Sequence, residues 1–195
     1  MIDLRHAVSR TATVARNVTD EQLSASTPAE EMDVARLIHH LLGLTVAFRD
    51  AAGKIEGPTT ATAPEPVDAP LPDEWRTLLH EQLDDLAAAW EDPAAWDGMT
   101  MVGGVELPAH VCGLVALDEV LLHGWDLARA TDQDYQVSEE EAESIVPIVT
   151  PEDDDPQGRE RAGVFGPVKP VPADAPLFDR VLAMAGRDPQ WRASR

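Results

Sequence analysis

Glu119 and His123 lie four residues apart in a stretch running from Cys112 to Ala128 that is apolar on most sides. In a helix that spacing sets both side chains on one face. A carboxylate and an imidazole buried together are costly unless something pairs with them. The simplest partner for both is a cation, so the pair points to a metal site. Wound at about 100° per residue, Cys112, Val115, Ala116, Glu119, His123, Asp126 and Ala130 share one stripe. A third ligand must come from another helix, and the adjacent His39 and His40 offer one. His40 flanks an apolar stripe near Leu44 and Ala47, whereas His39 points to the polar side with Arg36, which makes His40 the better ligand.

Two imidazoles and one carboxylate suit zinc, nickel or iron and leave positions open for water or substrate. The same spacing also fits a buried hydrogen-bonded Glu119–His123 pair, with His40 a satisfied core histidine. Asp126 can orient a ligand by accepting from its second ring nitrogen. An ion pair with Arg129 or Arg5 is the expected role for it. Cys112 has no cationic neighbour in sequence to lower its thiol pKa and reads as a small buried hydrophobe. Trp125 faces the other way around the helix, into the core, and His6, His80 and His110 are isolated surface or packing residues. The acidic run Glu152-Asp153-Asp154-Asp155 lacks the glycine and spaced ligands of a calcium loop, so it reads as solvated charge. No phosphate-cradling glycine loop and no nucleophile elbow are found.

Helical periodicity supplies the scaffold. Leu4, Ala7, Val8, Ala12, Ala15 and Val18 predict a first helix, closed by a turn at Ser24–Pro28. Asp33 opens a second, whose stripe is Val34, Leu37, Ile38, Leu41, Leu44, Thr45 and Phe48, and a proline-rich loop runs from Gly57 to Pro72. Asp73 is the expected cap of a third helix carrying Leu78, Leu79, Leu83, Leu86 and Trp90. A loop through Gly98 and Gly103-Gly104 leads to a fourth, about Pro108 to Thr131. Ser138 and Glu141 form a capping box that opens a fifth helix towards Val149, and a short last helix spans about Pro176 to Ala185. The class is all-α, a four-helix bundle with a short irregular C-terminal extension, and facing side chains in such bundles build metal sites. Residues 1–137 are expected to form the bundle and residues 138–195 an extension packed on it.

The 195 residues carry a net charge of −21, from 36 acidic and 15 basic side chains, so nucleic acid and anionic membrane surfaces are excluded as partners. With 44% hydrophobic but only 5% aromatic residues, packed helices are favoured over sheets. A single cysteine excludes an internal disulfide and fits a reducing compartment, and no apolar signal core or spanning segment is present, so a cytoplasmic location is expected.

The run Glu119-Val120-Leu121-Leu122-His123-Gly124-Trp125-Asp126-Leu127-Ala128-Arg129-Ala130-Thr131 resembles the mycothiol-dependent maleylpyruvate isomerase family, a branch of the DinB-like metal-binding four-helix bundles. Val34 to Gly43 is similar to that family's second-helix motif, in which the histidine before Leu-x-Gly is a metal ligand; here it is His40. The tail, Phe165-Gly166-Pro167, then Val171 to Ala175, Asp179 to Ala183 and Gly186 to Trp191, is similar to the ending of small single-domain members.

The resemblance implies an up-down DinB-like bundle and a divalent metal, typically zinc, on His40, Glu119 and His123. It also implies mycothiol as a cofactor, its thiol held as a thiolate. Two departures stand out. Many relatives carry Cys-x-x-Trp before the second helix where this chain reads Thr27-Pro28-Ala29-Glu30-Glu31-Met32, and the residues after Val137 are too few for the larger C-terminal domain of the family isomerases. The expected function is therefore that of a related transferase or isomerase in which a metal-activated low-molecular-weight thiol attacks a small electrophile, working as a monomer or homodimer. A non-catalytic metal-stabilised binding or stress-response module and a metal-dependent hydrolase are the alternatives.

Overall fold

A computed structural model describes residues 2–29, 32–62, 69–152, 155, 157–158 and 164–193. Four long helices form the frame: α1 (Arg5–Asn17), α2 (Val34–Ala52), α4 (Trp75–Ala89) and α5 (Ala109–Ala130), with a single turn, α3 (Pro58–Ala61), between α2 and α4. Each of α1 and α2 packs against both α4 and α5, so the order around the core is α1, α4, α2, α5. The connections from α1 to α2 and from α4 to α5 therefore cross the bundle diagonally. That order makes α2 and α5 neighbours, as a site shared between them requires.

The core is aliphatic. Leu37, Ile38 and Leu41 of α2 meet Leu79, Leu83 and Leu86 of α4 and Leu117, Leu121 and Leu127 of α5, all essentially fully buried. This is the DinB-like all-α bundle the sequence predicts. Asp33 caps α2 as expected, accepting from the Arg36 backbone N–H at 2.8 Å. The start of α4 differs. Glu74 occupies the cap position without a side-chain bond, and the Trp75 N–H is taken up by the Pro72 carbonyl at 3.0 Å, so Asp73 is not the cap. The backbone turn after Pro72 already satisfies that donor.

The loop expected before α5 contains a small antiparallel hairpin, β1 (Met99–Val102) paired with β2 (Val105–Pro108). Gly103 and Gly104 form its two-residue turn with φ of 60° and 78°, the left-handed pair that a type I′ turn needs. Beyond α5, α6 (Glu139–Val149) opens on the predicted capping box and packs on α5, and α7 (Leu177–Met184) packs on α6.

Candidate metal centre

α2 contributes His40 and α5 contributes Glu119 and His123 at the seam between the two helices. The apolar stripe of α2 lies in the core, which leaves His40 at its flank with 18% of its side chain exposed. On α5 the four-residue spacing sets the Glu119 carboxylate beside the His123 imidazole, Oε2 to Nε2 3.0 Å. His40 reaches the same oxygen through Nε2 at 3.8 Å, and the two imidazoles meet edge to face with ring centres 4.9 Å apart. One ligand atom from each of the three residues lies within 4.8 Å of the other two, the one such trio found among the described residues. Ligands about 2.1 Å from a tetrahedral zinc stand roughly 3.4 Å apart. The observed separations bracket that value, so small side-chain adjustments suffice, and the donor set fits a divalent metal.

His123 is held from behind. Its Nδ1 lies 3.1 Å from Oδ2 of Asp126, a carboxylate with 0% side-chain exposure. The same oxygen accepts from Nη2 of Arg187 at 3.1 Å. Asp126 thus contacts the His123 ring and pairs with a cation, but that cation is neither Arg129 nor Arg5. Arg129 donates to the Trp191 carbonyl at 3.0 Å, and Arg5 pairs with Asp3 and Glu91. Arg187 is the residue that sequence reasoning missed. It stands 61 positions after Asp126 in a segment without periodicity, and only the folded chain brings the two together.

Burial works against the Glu119 anion, yet the close contact with His123 and the nearby His40 imidazole outweigh it and hold the carboxyl well below the usual carboxylate range. Burial also disfavours a charged His123, but hydrogen bonds to Asp126 and Glu119 raise it to about 9. For Asp126 the cost of burial is overcome by the Arg187 charge and by the His123 hydrogen bond, and its pKa is lowered. A metal bound at these groups would have to displace the proton between Glu119 and His123.

The trio sits in a cleft of about 680 Å³. Its walls are largely apolar, with Leu44, Phe48, Val115, Leu122 and Phe165 among them, and Arg187 lines it as well. Met32 is part of the lining. The remaining singled-out residues fall outside the site. The His39 Nε2 meets the Ala69 carbonyl at 2.8 Å, His6 and His110 are exposed, and His80 lies 3.7 Å from Asp84. Trp125 and Cys112 are core residues. In the acidic run, Asp153 and Asp154 lie outside the described residues.

A ring of four helices with a polar trio at one internal seam is the architecture of an all-α four-helix bundle. It belongs to the family described as mycothiol maleylpyruvate isomerase N-terminal domain, whose model matches residues 4–128, from the entry to α1 through nearly all of α5. Two relatives from Mycobacterium tuberculosis, the uncharacterized protein MT0763 of strain CDC 1551 / Oshkosh and the uncharacterized protein Rv0738 of strain ATCC 25618 / H37Rv, are each 28% identical over 90% of this chain and 91% of their own length. The fold is similar to crystal structures of the mycothiol-dependent maleylpyruvate isomerase. A mutant form gives a TM-score of 0.61 at 18% identity, and a second structure gives 0.57 at 19%, each alignment covering 76% of this chain and 67% of the other.

Proposed function

We propose that this protein is a metal-dependent enzyme, related to mycothiol-dependent isomerases and S-transferases, in which His40, Glu119 and His123 hold a divalent metal at the side of the cleft. Zinc suits the donors best, with nickel or iron as substitutes. When bound, the metal supplies a Lewis-acid centre that keeps a coordinated thiol ionised near neutral pH. The residues do the rest. Asp126 fixes the ring of His123 by accepting from Nδ1, which leaves Nε2 directed at the trio. The apolar walls exclude water around the reacting sulfur and accept a small electrophile.

The observation that carries this reading is the convergence of three ligand-type side chains from two helices beside an open cleft. Family membership favours mycothiol over water as the bound nucleophile, and therefore a thiol-transfer or isomerase-like reaction over hydrolysis. We further propose the cytoplasm as its setting, and residues 1–137 as the metal-binding bundle with 138–195 an extension packed on it. The packing of α6 on α5 supports that division. Chelator-treated protein should bind one equivalent of zinc, and mycothiol should then raise the melting temperature of the zinc form but not of the apo form. A zinc form indifferent to mycothiol and to other small thiols would support the non-catalytic module instead.

A further inference from the structure

The carboxylate of Asp126 is fully buried, and a buried carboxylate needs a cation and hydrogen bonds to be tolerated. Arg187 supplies both, its side chain only 10% exposed and its Nη2 3.1 Å from the oxygen that holds His123 Nδ1. Its position is built in. The Arg187 N–H donates to the Leu182 carbonyl at 2.8 Å, and Nη1 donates to the Ala185 carbonyl at 2.9 Å, which locks the side chain to the end of α7. Gly186 just before it has φ +83°, and a Cβ there would stand 2.5 Å from Cα of Gly166. The close contact between those two glycines pins the end of α7 to the Phe165-Gly166-Pro167 segment at the cleft.

We propose that Arg187 is a positioning residue of the metal centre, acting through Asp126 on His123, so that the C-terminal extension completes a site the bundle begins. The inference rests on His40, Glu119 and His123 being the metal ligands. With Arg187 as counter-ion, Asp126 stays an oriented acceptor for Nδ1–H, and the lone pair of Nε2 stays aimed at the metal position. An acceptor behind a ligating imidazole is typically worth about 10–100-fold in metal affinity. Disorienting that acceptor should weaken metal binding by an amount within this range.

The test measures zinc affinity of the full-length protein by competition with a chromophoric chelator, alongside the nitrogen chemical shifts of the His123 imidazole. Arg129→Ala is the control, because Arg129 fastens the same extension through the Trp191 carbonyl without touching Asp126. Arg187→Ala is expected to weaken zinc binding by about 10–100-fold and, in the zinc-loaded protein, to lose the uniform Nδ1-protonated state of the His123 ring seen in wild type. Added guanidinium ion should restore part of both. Arg129→Ala should stay within about twofold of wild type. Should Arg187→Ala unfold, Arg187→Lys, which keeps the charge without the planar fork, decides by the same two readouts. A folded Arg187 variant with wild-type zinc affinity and tautomer overturns the proposal, as does an equal loss in Arg129→Ala. A wild type that binds no zinc overturns the ligand assignment instead, and the Nδ1–H proton shift, which reports the hydrogen bond to Asp126 whether or not Nε2 is also protonated, still decides whether Arg187 orients His123.

Discussion

Cys112 and Glu119 share one stripe of α5, yet their surroundings assign them opposite chemistry. The Cys112 thiol is fully buried, and burial pushes it up to about 12 despite the opposing charge of Lys54. Native protein at pH 8 should therefore resist iodoacetamide for hours while urea-unfolded protein is alkylated promptly; intact mass measured over time checks this, and fast native labelling would restore Cys112 as a candidate nucleophile. Glu119 and His123 could be read from sequence because one helix carries both at a spacing that itself fixes their contact. His40 was readable from its place beside the α2 stripe. Arg187 was not, because its meeting with Asp126 depends on how α7 docks.

The elements were legible where a local signal specifies them. Asp33 before α2 and the Ser138/Glu141 box before α6 act within one turn and appear as expected. The hairpin also had a local signal, the Gly103-Gly104 pair between two short mixed runs, but four-residue strands lack the length for a period-two pattern to stand out. In α6, Glu141 accepts from the Ser138 backbone N–H at 2.8 Å and pairs with Arg10 of α1. Burial opposes its charge, but those hydrogen bonds and the arginine prevail and lower its pKa. A carboxylate lowered in the folded state stabilises above its unfolded pKa, and that stabilisation fades as pH falls through the folded value. Glu141→Gln should cost about 1–2 kcal/mol at pH 7, and the gap to wild type should narrow as pH falls through the folded-state value, which lies below the ordinary glutamate value of about 4.3. Urea melts from pH 7 down to about pH 2.5 check this, and a gap that stays constant over that range would assign the loss to packing.

At the scale of the whole molecule, a net charge of −21 gives the protein a negative field that concentrates cations around it. The bundle order sets α2 beside α5, and the chain after α5 returns to the same seam to deliver Arg187. The fold therefore draws on both its matched region, residues 4–128, and its tail to surround one small volume. Among the described residues no helix is long and apolar enough to cross a membrane. The most direct measurement is an anomalous difference map at the zinc edge from crystals of the zinc-loaded protein. A single strong peak about 2.0–2.2 Å from His40 Nε2, a Glu119 carboxylate oxygen and His123 Nε2 is the expected result. A map without density among those three side chains, or with zinc bound elsewhere, would contradict the site.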